Sequence, residues 1–260
     1  MFDTHCHLAF DVFGDSRADV VSRAAAAGVD GMITIATSTS NCQANLDLAE
    51  QFENVWCSAG VHPLHVDEPR EWDDVRQAAM HPRCVAFGEL GLDNHYEKPP
   101  RQLQRNVLDE QLAFLESLKF DGIEKPIILH CRKAFDDLIP ILRATTFDPA
   151  RFVFHCFTGD SDDARKVLDF GAWISLTGVV TYHNAREVAD AAILIPDDRI
   201  MVETDAPFLS PEPVRSTWPC EPAFVIHTAR FLAELRGTDF EKFESQLDAN
   251  VHRFFGIAAV

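Results

Sequence analysis

The sequence predicts an α/β fold, a single (β/α)8 or TIM barrel with a parallel eight-stranded core. Short apolar or β-branched runs occur eight times along the chain, and segments with helical periodicity separate them. Strands that alternate with helices pair in parallel, because a parallel connection needs a crossover, which is usually helical. The length of 260 residues is close to the ~250 residues that are typical of this barrel. The alternative is an open, doubly wound sheet.

The eight predicted strands are short and consist mainly of apolar or β-branched residues, which favour strands buried on both faces. No linker, low-complexity tract or internal repeat separates them, so we expect one domain over residues 1–260. In chain order the strands read FDTHCH at 2–7, GMITIAT at 31–37, VWCSAGV at 55–61, VAFG at 85–88, IILH at 127–130, FVFH at 152–155, WISL at 173–176 and IMVE at 200–203.

Nine segments have the spacing of apolar residues that is typical of amphipathic helices. The clearest is 101–118, where apolar residues recur along one stripe. Pro140 lies inside another segment, so we expect that helix to be kinked or to end early. The stretch 207–222, rich in proline and without periodicity, predicts a long loop after the eighth strand. The predicted helices are 16–27, 41–52, 70–80, 101–118, 133–144, 160–170, 185–195, 221–235 and 240–255.

The composition argues against several classes of protein. The seven cysteines are scattered and form no CxxC pair, which disfavours a disulfide framework and a zinc knuckle. No apolar run approaches the ~18 residues of a membrane span, and the N-terminus lacks the features of a signal peptide. We therefore expect a cytoplasmic protein without a membrane partner or an obligate protein partner. The net charge of −18 argues against a general nucleic-acid groove, because nonspecific binding depends mainly on Lys and Arg.

Possible metal ligands gather at the predicted ends of the strands. In this barrel the active site is built from the C-terminal strand ends and the loops that follow them. Five of the eleven histidines lie at these ends, which scattered structural histidines would have no reason to do. The polar residues there are His5 and His7 on the first strand, His62 on the third, Glu89 on the fourth, His130 and Arg132 on the fifth, His155 on the sixth, and Glu203 and Asp205 on the eighth.

His5 and His7 form a His-x-His pair. Residues two apart on a strand project to the same face, so both imidazoles can reach one ion in the barrel mouth. Imidazole together with carboxylate suits Zn²⁺ or Mn²⁺, whereas Mg²⁺ is less comfortable among so many histidines. The sequence therefore predicts bound divalent metal and leaves its identity (Zn, Mn or Mg) open. Such ions would also bind a nucleic acid at this one place, because they add positive charge where the acidic ligands lie.

Six short motifs occur in order over almost the whole chain. They are DTHCHL at 3–8, GVHP at 60–63, GELGLD at 88–93, HCRKA at 130–134, HCFTG at 155–159 and ETDAP at 203–207. Together they resemble the TatD family of metal-dependent deoxyribonucleases, within the amidohydrolase superfamily. The resemblance implies two divalent ions in the barrel mouth. The ligands that it implies are His5, His7 and Asp205 for one ion, His130 and His155 for the second, and Glu89 as the bridge between the two.

The resemblance also implies an activity and a partner. It indicates a DNase of the 3'-to-5' exonuclease type, which acts on a nucleic-acid substrate at DNA ends or on single strands. His62 and Arg132 match positions that are expected to contact the scissile phosphate. Arg215, in the loop after the eighth strand, is a further candidate for binding phosphate.

Three carboxylates are candidates for catalysis. Two cations close together can lower the pKa of a shared water and hold both oxygens of an in-line phosphoryl displacement. Glu89 is the natural bridge, since its two oxygens can bind two ions. Asp205 can accept the proton of the nucleophile while it serves as a ligand. Glu203, two residues earlier on the same strand face, would support the ligands from behind.

The chain departs from the family pattern at three places, and none of them is a predicted metal ligand. Residues 93–95 read DNH where the family has DYY, residues 220–222 read CEP in place of NEP, and the segment 120–125 is longer. These differences affect substrate preference more than hydrolysis. The alternatives are a hydrolase of an ester or amide, such as a D-aminoacyl-tRNA deacylase, a deaminase with one metal ion, and a scaffold without catalysis.

Overall fold

The computed structural model describes residues 1–258, and it confirms the predicted barrel. Eight parallel strands follow one another around the sheet in the order of the chain. Residues 259 and 260, at the end of the predicted domain, lie outside the described residues. The strands are β1 (Phe2–Cys6), β2 (Gly31–Thr34), β3 (Val55–Ala59), β4 (Cys84–Asp93), β5 (Ile127–Arg132), β6 (Phe152–Phe154), β7 (Trp173–Leu176) and β8 (Ile200–Val202).

The barrel closes between β1 and the chain that follows β8. A backbone bridge joins Cys6 to Ala206. The His7 N–H donates to the Ala206 carbonyl over 2.7 Å, and the Asp205 N–H donates to the His5 carbonyl over 2.9 Å. Closure of the barrel therefore brings the first and the last parts of the predicted metal site together through backbone hydrogen bonds.

Nine α-helices occur among residues 1–258, and they pack on the outside of the strands. The leucine stripe of the long fourth helix is buried, as predicted. None of the helices combines the length and the apolarity needed to cross a bilayer. They are α1 (Arg17–Ala26), α2 (Cys42–Gln51), α3 (Trp72–Met80), α4 (Arg101–Phe120), α5 (Phe135–Arg143), α6 (Ser161–Phe170), α7 (Arg186–Leu194), α8 (Val225–Leu235) and α9 (Phe240–Phe255).

The expectation that α5 ends early at Pro140 is wrong, because the helix continues to Arg143, while the expected kink stays a prediction. Proline removes the hydrogen bond to the carbonyl four residues earlier. Here that carbonyl belongs to Asp136, an exposed residue in the first turn, where water can replace the lost bond. The helix begins at Phe135, two residues later than predicted, since Lys133 adopts a φ of +54°.

Apolar side chains on the two faces of the strands form an outer and an inner layer. The outer layer packs the strands against the helices, and it includes Leu129 of β5 and Leu138 of α5. The inner layer includes Phe2, Trp173 and Met201 near the starts of their strands, together with Phe254 of α9. Because the apolar inner layer occupies the N-terminal end of the barrel, the polar strand-end residues are left to line the C-terminal end.

Glu89 lies within β4 and not at its end, contrary to the prediction. The pairing of β4 with β5 shifts register between Phe87 and Leu90 and then continues to Asp93. Gly91 makes this extension possible, because its φ is +148° and a Cβ built there would overlap the carbonyl oxygen of His130. The extended part of β4 therefore runs close beside the end of β5, and Glu89 faces its histidine.

Candidate metal centre

A cavity of about 780 Å³ opens at the C-terminal end of the barrel. Most of the residues predicted from the sequence line it. His5 is fully buried at the edge of the same cluster, and Glu203 is buried behind His155. Arg215 does not line the cavity. The predicted residues that do are His7, His62, Glu89, His130, Arg132, His155 and Asp205.

Glu89 occupies the middle of the cluster, and its two oxygens face different histidines. Oε2 lies 3.2 Å from His5 Nε2. Oε1 lies 2.8 Å from His130 Nδ1, 2.6 Å from His155 Nε2 and 3.3 Å from His62 Nε2. A carboxylate that presents each oxygen to a separate group of imidazoles has the arrangement needed to bind two cations at once.

Asp205 forms a second cluster with the two histidines of the first strand. Its Oδ1 lies 3.3 Å from His7 Nε2 and 3.6 Å from His5 Nε2. The three residues offer ligand atoms that all lie within 4.8 Å of one another. His62, Glu89 and His130 form another such group. The structure thus contains two separate sets of candidate ligand atoms, and His5 Nε2 lies between the Asp205 of one set and the Glu89 of the other.

The orientation of two candidate ligands is fixed by buried carboxylates. His130 Nε2 lies 3.0 Å from Asp93 Oδ2, and His155 Nδ1 lies 3.2 Å from Glu203 Oε1. A ring nitrogen that donates to a carboxylate carries the proton, so the opposite nitrogen keeps its lone pair for a metal. His130 Nδ1 and His155 Nε2 are therefore the atoms that could hold a cation, and both point to Glu89.

His7 follows the same pattern, whereas His62 does not. His7 Nδ1 lies 3.3 Å from the carbonyl oxygen of Ile35, which leaves Nε2 free to bind. In His62, Nδ1 accepts a hydrogen bond from the Leu64 N–H at 3.0 Å, so Nε2 carries the proton of the neutral ring. Burial lowers the pKa of His62 to about 4, which keeps the ring neutral at pH 7. His62 Nε2 is consequently a hydrogen-bond donor and not a candidate metal ligand, although it lies among the candidate ligands.

His5 has the property expected of a metal ligand in a buried site. Its side chain is completely buried, and neither ring nitrogen has a hydrogen-bond partner among the described residues. An unpaired buried polar group costs free energy, of the order of 1–3 kcal/mol, unless another group satisfies it. Burial, the strongest influence, lowers the pKa of His5, so the ring is neutral and able to bind a cation. The residues present therefore fit a divalent metal.

The carboxylates of the cluster are ionised at neutral pH. Burial alone would raise the pKa of Glu89, but the facing histidines, first among them His155 and including the hydrogen bond from His130, outweigh burial and hold the pKa well below its ordinary value. The pKa of Asp205 is also lowered, since the hydrogen bond from His7 and the nearby histidines overcome the effect of burial. Two ionised carboxylates that face the same cavity give it a negative potential, which favours divalent cations.

Asp93 is a functional candidate that the motif analysis did not single out. It is buried, it orients His130, and its own Oδ1 accepts the backbone N–H groups of His95 at 2.8 Å and Tyr96 at 3.1 Å. Burial raises the pKa of Asp93, but these hydrogen bonds and that from His130 bring it down to about 2. Spacing could have identified it, because Asp93 lies four residues after Glu89 and thus on the same face of an extended strand.

We expect Asp93→Asn to weaken metal binding by about 10- to 100-fold, because an amide can no longer fix the protonated nitrogen of His130 so well. Metal affinity measured by calorimetric titration checks this. Asp169→Asn is the matched control, since Asp169 is exposed on α6. Equal metal affinity of Asp93→Asn and the control would contradict the role of Asp93.

The predicted phosphate contacts differ in position. Arg132 lines the cavity, its guanidinium lies 5.2 Å from the ring of Tyr96, and within residues 1–258 it forms no ion pair with a carboxylate. Arg215 is exposed in the loop after β8, 3.7 Å from the ring of Tyr182, with Glu212 at 3.6 Å. Arg132 is therefore available to a substrate in the cavity, whereas the structure does not bring Arg215 to it.

Comparisons with known proteins agree with this geometry. The family model described as TatD-related DNase matches residues 2–256. The metal-dependent hydrolase YcfH of Escherichia coli (strain K12) is 36% identical, with 100% of this chain and 97% of its own length covered. The 3'-5' ssDNA/RNA exonuclease TatD of Klebsiella pneumoniae (strain 342) is 34% identical over 99% and 98% of the two chains. The crystal structure of YjjV, a TatD homologue from Escherichia coli, superposes with a TM-score of 0.90 at 29% identity and covers 99% of this chain and 98% of its own. The chain therefore belongs to the TatD-related DNase family and is a metal-dependent hydrolase.

Proposed function

We propose that the protein uses two divalent cations to hydrolyse phosphodiester bonds in single-stranded nucleic acid, releasing nucleotides from the 3' end. The observation that carries this proposal is the position of Glu89, which has Oε2 beside His5 and Oε1 beside His130 and His155. One cation would be held by His5, His7 and Asp205, the other by His130 and His155, and Glu89 would contact both. When bound, the cations would supply positive charge at the scissile phosphate and lower the pKa of water beside it.

The protein's own groups supply the proton acceptor and the donors to the phosphate. Asp205 is the most accessible of the ionised carboxylates in the cluster, with 15% of its side chain exposed, against 2% for Glu89. It would accept the proton of the attacking water. The Nε2–H of His62 and the guanidinium of Arg132 would donate to phosphate oxygens, which gain negative charge during displacement. Glu203 would act through His155, because it contacts that ring and not the cavity.

The preference for single strands and chain ends is supported by charge and by the relatives. A protein with a net charge of −18 has few cations to neutralise the phosphates of a long duplex. Binding must then depend on a short length of substrate near the metal cluster. The Klebsiella pneumoniae relative is named as an exonuclease on single-stranded DNA and RNA. A single-stranded end of a nucleic acid that enters the cavity agrees both with the negative charge of the protein and with the activity for which this relative is named.

The experiment that tests this proposal combines metal analysis with digestion of oligonucleotides. The bound metal is measured by elemental analysis, and the same preparation is incubated with single-stranded and duplex oligonucleotides labelled at the 5' end. We expect about two ions per chain and a ladder that shortens from the 3' end, faster on the single strand. Release of free amino acid from D-aminoacyl-tRNA without any nucleotide release would instead support an ester hydrolase of the same ligand set.

We expect Arg132→Ala to raise KM for an oligonucleotide by about 10- to 100-fold with unchanged metal content. This is the loss of a hydrogen bond to a charged group, of the order of 1.5–3 kcal/mol. Steady-state kinetics and elemental analysis check both parts. Arg215→Ala is the matched comparison, because it removes the same charge outside the cavity. Loss of metal from Arg132→Ala would show that the arginine supports the ligands, and a comparable rise in KM for Arg215→Ala would assign a phosphate role to that residue as well.

A further inference from the structure

We propose that three aromatic side chains beside the metal cluster form a stacking surface for the bases of the substrate. The surface, which we call the aromatic track, consists of Phe10, Phe208 and Trp218. Its occupant is a single-stranded segment of nucleic acid adjoining the scissile phosphodiester. The inference rests on the proposed function. It adds a binding surface for the part of the substrate that lies outside the cavity.

The aromatic track starts at a metal ligand and leads outward ring by ring. The ring of Phe10 stacks on that of His7, with centroids 4.6 Å apart and an interplanar angle of 12°. Phe208 follows at 6.3 Å from Phe10, and Trp218 at 6.0 Å from Phe208. Phe10 and Phe208 line both the metal cavity and a shallow groove next to it, while Trp218 lines the groove alone. The groove is thus continuous with the cavity in which the phosphate would lie.

The outer rings of the track are exposed but held in place. Phe208 is 42% exposed and Trp218 is 63% exposed. Their loop is fastened at its base, where the Cys220 N–H donates to the Pro207 carbonyl over 2.9 Å. The Ser210 hydroxyl also donates to the Thr217 carbonyl over 2.7 Å. Large exposed rings on a braced loop are a preorganised contact surface, because little conformational entropy is lost when a flat ligand binds.

The chemistry of the groove selects bases and not phosphates. Besides the track residues, it is lined by Ala9, Asp11, Val12 and Pro207, so within residues 1–258 its only charged side chain is that of Asp11. An acidic, apolar surface repels the backbone of a nucleic acid, but it can take the uncharged faces of the bases. Stacking of bases on aromatic side chains tolerates any sequence, because every base has a π-face. It also gives an acidic protein a means of binding that does not depend on lysine and arginine.

Binding to the aromatic track is tested with two fluorescein-labelled strands of equal length. One is a short oligothymidylate, the other its abasic counterpart, and both have terminal phosphorothioate linkages that slow hydrolysis. Fluorescence anisotropy with the metal-loaded protein gives Kd for each. We expect Trp218→Ala to raise Kd for the oligothymidylate about ten-fold and to leave Kd for the abasic strand unchanged. Trp218→Phe should retain most of the affinity, which separates stacking from a folding defect.

The matched control is Phe120→Ala, which removes an exposed ring at the C-terminal end of α4, at the opposite end of the barrel. It should change neither Kd. An unchanged Kd of Trp218→Ala for the oligothymidylate, or an equal rise for the abasic strand, would overturn the inference. So would a dimer, seen by sedimentation, that Trp218→Ala dissociates without a change in Kd, because the groove would then bind a second copy.

The test also separates this inference from the proposed function. A metal-loaded protein that binds the oligothymidylate through Trp218 but releases no nucleotide from unmodified DNA would refute the hydrolysis and support the track. Nucleotide release with equal kinetics in the wild-type protein and Trp218→Ala, together with equal Kd values, would support the hydrolysis and refute the track.

Discussion

Replacing Glu89 with glutamine should lower kcat/KM on an oligonucleotide by about 1000-fold, which is the upper range for loss of one preorganised electrostatic group. The carboxylate is buried and has histidine nitrogens on both of its oxygens. The amide has the same shape but no charge, and only one of its two heavy atoms can bind a cation. We therefore expect the metal content to fall together with the rate, from about two ions per chain to one or fewer.

Circular dichroism and thermal unfolding of metal-free protein show whether Glu89→Gln remains folded, as it should, because the apolar layers are untouched. Glu187→Gln, an exposed carboxylate in the first turn of α7, serves as the control for the chemical change itself. Full activity of metal-loaded Glu89→Gln would show that the Glu89 carboxylate is not needed for catalysis. The reason to place two cations in the site would then be lost.

The strand-end ligands could be predicted from the sequence because a barrel of parallel strands imposes a common edge. Once β1, β5, β6 and β8 run in the same direction, His5, His130 and His155 must lie at the same end as Asp205. The structure places ring nitrogens of His5, His130 and His155 3.2 Å, 2.8 Å and 2.6 Å from the Glu89 carboxylate, and Asp205 Oδ1 3.6 Å from His5. The prediction of these residues required only the order of the strands along the chain.

Glu89 and Asp93 show where such reasoning stops. The run VAFG predicts a strand that ends before Glu89, whereas the register shift after Phe87 and the close approach at Gly91 extend β4 to Asp93. Both features depend on how β5 packs against β4, which periodicity along one segment does not contain. In the sequence, Asp93 is therefore visible only as the first residue of the DNH motif, which departs from the family pattern. In the structure it orients His130.

Loops without periodicity are the second part of the structure that could not be predicted from the sequence. The stretch 207–222 predicts a loop and no more, yet it places Phe208 and Trp218 beside Phe10, from the other end of the chain. The same loop holds Arg215 outside the cavity, and its guanidinium lies against the ring of Tyr182. Whether a side chain in such a loop reaches the site is decided by tertiary hydrogen bonds, such as that from the Tyr182 hydroxyl to the Ser210 carbonyl. Likewise, the donor state of His62 depends on the Leu64 N–H, a local turn that sequence spacing does not reveal.

Asp205→Asn should abolish turnover by a different route from Glu89→Gln. Asp205 contacts the histidines of the first strand only, so the amide should weaken one cation while the other, near Glu89, His130 and His155, is retained. The same substitution removes the proposed proton acceptor. We therefore expect kcat to fall by about 1000-fold or more with at least one ion still bound, as measured by single-turnover kinetics and elemental analysis.

A double variant distinguishes one catalytic unit from two independent contributions. If Glu89 and Asp205 act on the same phosphoryl transfer, Glu89→Gln/Asp205→Asn should be about as slow as the slower single variant, because groups that work as a unit are not additive. Multiplied losses in the double variant would mean that the carboxylates contribute separately. Asp169→Asn, exposed on α6, should leave every value unchanged. Turnover by metal-loaded Asp205→Asn at the wild-type rate would exclude Asp205 both as an essential ligand and as the proton acceptor.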